Sequence, residues 1–219
     1  MEINPNSDKA FYYRGILYAD RANYDQAIKD FSTAIELNPE NAPAYYERSR
    51  SYAYKNEGDL VIDDATKATQ INPDFTVAYY ARGVEYHNSG RKDEAIKDFN
   101  KAIEIVGKEI ELNSNDCRYY QHTVRGIIYF ALNNTRQSMA DYKKAIEIKQ
   151  DNVTYYYRGQ LYFDQKNYKA SIADFTKAIE LNSQFAESYK ERALAYEKIG
   201  DKEKAETDRK KYEELSKKQ

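Results

Sequence analysis

The amino-acid sequence predicts an all-α solenoid, and three observations carry that prediction. First, a pattern returns every 34 residues: AFYYRGILYADRANYDQAIKDFSTAIELNP near the start reappears as AYYARGVEYHNSGRKDEAIKDFNKAIEI and again as TYYYRGQLYFDQKNYKASIADFTKAIELN. Self-similarity at this period marks stacked supersecondary units, none of which buries its apolar face alone. Second, only eight Gly and four Pro occur in 219 residues, and Pro5, Pro39, Pro43 and Pro73 fall at unit boundaries. Long stretches are thereby left free for helix. Third, each unit carries two stretches whose apolar residues recur with the period of an amphipathic helix.

Taken in order, residues 1–7 (MEINPNS) match the ELNPEN that closes the first unit. They read as the tail of a preceding repeat, so the chain is expected to be a piece of a longer array. Unit 1 (residues 8–41) opens a helix near Asp8, in KAFYYRGILYADR, and a second from Tyr24 to Leu37, stopped by Asn38-Pro39. Unit 2 (residues 42–75) places Ala65 where four other units have a large ring, so its second helix packs less bulk. Unit 3 (residues 76–118) is longer by about nine residues near 108–117, in KEIELNSNDC. Ile103, Val106 and Ile110 keep a helical rhythm there. Its second helix is therefore expected to run on by roughly two turns, with Asn113 to Asp116 making the turn and capping the next helix. The insertion is either a tolerated length variation or a local change of superhelical pitch. Units 4 (119–151) and 5 (152–185) return to the short period, and unit 6 (186–219) has Arg209 and Tyr212 at apolar positions, as a polar terminal cap should.

The anchors hold in all six units. Tyr18, Tyr52, Tyr86, Tyr129, Tyr162 and Tyr196 are spaced by 34, 34, 43, 33 and 34 residues. An Arg precedes each by four, at Arg14, Arg48, Arg82, Arg125, Arg158 and Arg192, followed by Gly15, Ser49, Gly83, Gly126, Gly159 or Ala193. Small residues (Ala27, Val61, Ala95, Ser138, Ser171, Ala205) and a second alanine set (Ala34, Ala68, Ala102, Ala145, Ala178) complete the frame. This frame resembles the tetratricopeptide repeat, W-x2-L-G-x2-Y, then A-x3-F, then Pro. The chain departs from it in having no Trp. Phe11, Tyr45, Tyr79, His122, Tyr155 and Tyr189 stand in that place, and Arg stands at the Leu position throughout. The resemblance implies a right-handed solenoid of antiparallel helix pairs, with first helices lining a concave surface that binds peptides.

A second regularity is an Asp sixteen residues after every Arg: Asp30, Asp64, Asp98, Asp141, Asp174 and Asp208. A constant spacing across two helices predicts a structural ladder of guanidinium–carboxylate pairs, since the planar fork of Arg suits bidentate pairing and its stem packs on Tyr rings. The alternative is a basic ladder for phosphates or acidic peptides.

Mapped through the resemblance, the groove-facing candidates are Tyr12, Tyr13, Tyr46, Arg50, Tyr54, Tyr80, Val84, His87, Tyr120, Ile127, Phe130, Tyr156, Gln160 and Phe163. Tyr offers a rigid flat body with a hydroxyl that donates or accepts, which suits anchoring of a peptide. Tyr12, Tyr46, Tyr80 and Tyr156 are expected to open into the groove, and the Tyr18 set to be core. In unit 6 the strip turns charged, with Glu187, Lys190, Glu191, Glu197 and Lys198. The expected function is a non-catalytic scaffold binding a partner segment across units 1 to 5. The alternative is self-association through the groove or the array ends.

Several classes are argued against. The family's clamp for a chaperone C-terminal carboxylate needs Lys, Asn, Asn, Lys and Arg where this chain has Tyr12, Ile16, Glu47, Val77 and Ala81. Single-stranded RNA binding would want a basic footprint, whereas 34 basic residues face 36 acidic ones at a pI near 5.9. His87, His122 and Cys117 lack metal-ligand or nucleophile spacing, and no Gly-rich phosphate loop occurs. Neither catalysis, a metal nor a cofactor is therefore expected. One Cys points to a reducing, cytoplasmic compartment, and no membrane segment is recognisable.

Overall fold

A computed structural model of the chain describes residues 7–112 and 118–217. Among these residues there are twelve helices and no strand: α1 (Asp8–Asp20), α2 (Tyr24–Leu37), α3 (Ala42–Tyr54), α4 (Gly58–Ile71), α5 (Thr76–Asn88), α6 (Lys92–Leu112), α7 (Arg118–Ala131), α8 (Thr135–Ile148), α9 (Asn152–Asp164), α10 (Tyr168–Leu181), α11 (Ala186–Lys198) and α12 (Lys202–Ser216). They divide between two compact units, Met1–Ile105 and Val106–Gln219. In each unit a first helix packs on the second helix that follows it. First helices also meet the next first helix, α1 on α3 and α3 on α5 in one unit, α7 on α9 and α9 on α11 in the other.

Helix starts follow from short polar side chains. Ser7, Asn23, Asn41, Asn134, Asp151, Asn167 and Asp201 each accept a bond from a backbone N–H of the first turn, satisfying donors a helix leaves orphaned. The turn inside each pair is the same in all six repeats. One residue takes the left-handed conformation at Ala22, Asn56, Gly90, Asn133, Lys166 and Gly200, with φ from 55° to 84°. Only two of the six are the Gly that this conformation favours. Helix α6 runs for 21 residues where the other second helices run for 14 or, in the last pair, 15. The extra length is about two turns at 3.6 residues each. The expected turn at Asn113 to Asp116, and Cys117, lie outside the described residues, as do residues 1–6.

The core of each pair is built by a fixed contact between a small residue on the first helix and a ring on the second. A Cβ added to Gly15, Gly83, Gly126 or Gly159 would lie 2.6 to 2.8 Å from the ring of Phe31, Phe99, Tyr142 or Phe175. Those four rings are fully buried or nearly so. Where the second helix carries Ala65 or Arg209 instead, the first helix carries Ser49 or Ala193. Ring size on one helix and side-chain size on the other thus compensate within the chain. The expected loss of bulk at Ala65 is real, and Ser49 at 0% exposure takes up part of it.

Each Arg of the recurring set donates through Nε and Nη2 to both oxygens of the Asp sixteen residues later. The bonds are 2.6 to 2.8 Å long in all six repeats. Each carboxylate is buried, and five of the six Arg side chains are less than a quarter exposed. The guanidinium lies 5.3 to 5.7 Å from the ring three residues before it in the five repeats that have Phe or Tyr there. In the fourth repeat His122 takes that place and its Nδ1 bonds Asp141 at 2.8 Å, so it is a polar partner of the pair rather than only packing bulk.

The Arg does more than close its own pair. Nη1 of Arg48, Arg82 and Arg192 donates to Ser32, Thr66 and Thr176 on the second helix of the preceding repeat. One side chain thereby ties three helices. The Tyr18 set, expected as core, is half-buried instead. The rings of Tyr18, Tyr52, Tyr86, Tyr162 and Tyr196 lie 5.8 to 6.0 Å from the guanidinium of their repeat.

Candidate functional site

The first helices carry the candidate residues, and burial sorts them into two groups. Tyr13, Tyr54 and Tyr120 stand 64%, 61% and 56% exposed, and Arg50 and His87 are exposed as well. Tyr12, Tyr46, Tyr80, Val84, Ile127, Phe130, Tyr156, Gln160 and Phe163 are half-buried. The expectation that Tyr12, Tyr46, Tyr80 and Tyr156 open into the groove therefore needs correction. Their rings pack on Phe31, Phe75, Phe99 and Phe175 at centroid distances of 5.4 to 6.1 Å. Side chains on a helix lean back over the preceding turn, and here that lean carries each ring onto a phenylalanine outside its own helix.

In the first unit, Tyr54 stacks flat on Tyr24, 4.6 Å between centroids and 8° between planes. Arg50 donates to Glu47 at 2.8 Å and lies 5.9 Å from the Tyr46 ring. Burial pushes the Glu47 carboxyl up, Arg50 pulls it back, and Asp20 adds to the rise. Tyr12 faces this pair. Its hydroxyl is pushed up by burial and by Glu47, with Arg50 acting the other way.

In the second unit, Tyr156 is boxed by Tyr157, Phe175 and Phe185 at 5.3, 5.9 and 5.0 Å, and its hydroxyl accepts from Gln160 at 3.0 Å. Burial raises its pKa far above the usual tyrosine value, and Glu191, Tyr157 and Glu187 raise it further. Glu191 is itself pushed up, first by burial, with Lys190 opposing and Asp164 adding. Phe163 meets Tyr168 edge-on at 5.3 Å. Sequence reasoning passed over Tyr24, Tyr168, Phe75 and Phe185. The available signal was position: Tyr24 and Tyr168 directly follow a capping Asn, while Phe75 and Phe185 directly precede the first helices α5 and α11.

The Glu191 shift has a checkable consequence. A carboxyl whose folded pKa lies above its unfolded one costs stability whenever it is ionised, and that cost disappears as pH falls below the unfolded value. Glu191→Gln is expected to raise the melting temperature at pH 7. The difference from the native chain should close as pH approaches about 4, the ordinary glutamate range. Thermal melts across that range read it directly, and a variant less stable than the native chain at pH 7 would contradict it.

No group of three or more His, Cys, Asp or Glu is arranged to hold a metal ion among the described residues, and no helix there is long and apolar enough to cross a membrane.

Comparison with known families decides the identity. The tetratricopeptide repeat profile matches residues 8–41, 76–106 and 153–185, and a second profile of the same repeat matches 122–152. The chain belongs to the tetratricopeptide repeat family. Solved tetratricopeptide structures share its fold. A thermophilic tetratricopeptide protein of Thermus thermophilus superposes with a TM-score of 0.70 at 17% identity, covering 86% of this chain and 98% of that one. The APC/C hetero-tetramer Cut9–Hcn1 gives 0.69 at 18% identity, over 99% of this chain but 41% of the other. The human IFIT1 dimer with m7Gppp-AAAA gives 0.73 at 18%, over 94% and 50%. This chain thus spans half or less of two of these three relatives. No curated protein matches it. At such identities the likeness establishes the fold, a tetratricopeptide scaffold of the kind suited to protein–protein interaction.

Proposed function

We propose that this tetratricopeptide chain is a non-catalytic scaffold that binds partner-protein segments on the tyrosine-bearing first helices of its compact units, each unit taken by itself. The observation that carries the reading is the exposure of Tyr13, Tyr54 and Tyr120, each more than half open to solvent. Large rings left outside a core otherwise closed by Ala, Phe and Gly are the composition of a contact surface. Half-buried rings support two of them, Tyr12 beside Tyr13 and Tyr24 under Tyr54, which limits the ordering cost of binding.

RNA is a weaker reading. IFIT1 is seen with m7Gppp-AAAA, but here all six recurring guanidiniums are tied to carboxylates, so that ladder does not offer free cations to phosphates.

The test replaces only open rings, because truncating Tyr46, Tyr80 or Tyr156 would also cut into packing. Tyr13→Ala, Tyr54→Ala and Tyr120→Ala, combined in one chain, should keep native helical circular dichroism. The variant should lose a partner that the native chain retains on an affinity column, with binding weakened at least tenfold. Equal retention by both chains would sink the proposal.

A further inference from the structure

The two units carry the same constellation, with one substitution that changes its charge. Tyr12, Tyr13, Asp20 and Glu47 in the first unit recur 144 residues later as Tyr156, Tyr157, Asp164 and Glu191. Arg50, whose Nη1 donates to Glu47 at 2.8 Å, recurs as Leu194. The place of Tyr46, under the Arg50 guanidinium, is taken by Lys190, whose ammonium lies 6.0 Å from the Tyr212 ring on α12. Pro43 recurs as Glu187, a second carboxylate acting on the Tyr156 hydroxyl.

The first unit therefore satisfies its half-buried glutamate with its own arginine, and the second does not. Glu191 and Glu187 act on the Tyr156 hydroxyl, and Asp164 acts on Glu191, where Lys190 is the opposing charge among the described residues. A half-buried carboxylate without a bonded cation is costly. It becomes favourable when a guanidinium or ammonium arrives to pair with it beside aromatic rings. The arrangement is not a metal cage among the described residues, so the complement is an organic cation of the shape Arg50 already shows.

We infer that the Tyr156–Glu191 surface of the second unit binds an arginine or lysine side chain of the partner segment, which takes the position that Arg50 fills internally in the first unit. This rests on the scaffold reading above and names the partner's chemistry at one position.

Selection of a random dodecapeptide display library on the whole chain tests it, followed by fluorescence polarisation with the selected peptides. Peptides should converge on a basic residue. Glu191→Gln should weaken them roughly tenfold. Leu194→Arg, which supplies the internal cation, should block them to a similar degree while leaving the fold intact by circular dichroism. Binding should also fall as salt rises. Selected peptides without a basic residue, or binding indifferent to both substitutions, would overturn this inference and leave the scaffold intact. Failure to select any peptide would overturn both.

Discussion

Replacing Asp98 by Ala is expected to lower the free energy of unfolding by about 3 to 5 kcal/mol. Its carboxylate is 4% exposed and receives both Nε and Nη2 of Arg82. Removing it leaves a guanidinium, itself only 15% exposed, between the Tyr79 and Tyr86 rings without its counter-charge. The loss exceeds that of a surface ion pair, which is worth about 0 to 1 kcal/mol, because the charge left behind is desolvated. Arg82 also holds Thr66 of the preceding repeat, so the damage should reach the joint between repeats. Urea titration of the native and Asp98→Ala chains measures it. A cost below about 1 kcal/mol, the surface value, would mean that the ladder contributes little and that packing alone sets the spacing of the helices.

Gly126→Ala should cost about 1 to 3 kcal/mol, against the direction of helix propensity, which favours Ala over Gly by about 1 kcal/mol. The new methyl would lie 2.6 Å from Cε1 of Tyr142, a ring with no exposed surface. Gly107→Ala is the control. It is also within a helix, but the nearest atom to its added Cβ is Nη1 of Arg125 at 3.9 Å. That substitution should stabilise by about 0.5 to 1 kcal/mol. Shifts of opposite sign in the urea midpoint would separate close approach from propensity. Stabilisation by both would show that the helices of the fourth pair relax freely.

Much of this was legible in the residues because repetition multiplies a weak signal. One Arg and one Asp sixteen apart mean nothing, whereas six such pairs demand a constant geometry, and the structure forms every one. The long α6 was legible too, since Ile103, Val106 and Ile110 kept their phase through the insertion. The candidate surface was harder to read. Tyr12 and Tyr13 are neighbours in sequence, yet the first packs on Phe31 and the second stands open. Nothing in the string YY separates them. The difference lies in which ring the adjacent helix brings alongside.

The family, the helix count per repeat and the Arg–Asp pairing are all written in the residues, because each follows from local period and from spacing that recurs. The exchange of Arg50 for Leu194 is written there too, though in a form that meant little until Arg50 was seen on Glu47. Which aromatics close the core, and which remain exposed, emerged from the packing of the helices alone. Burial depends on the approach of a second helix to within a van der Waals contact, and that distance is set by the pair of residues that meet, not by either one alone.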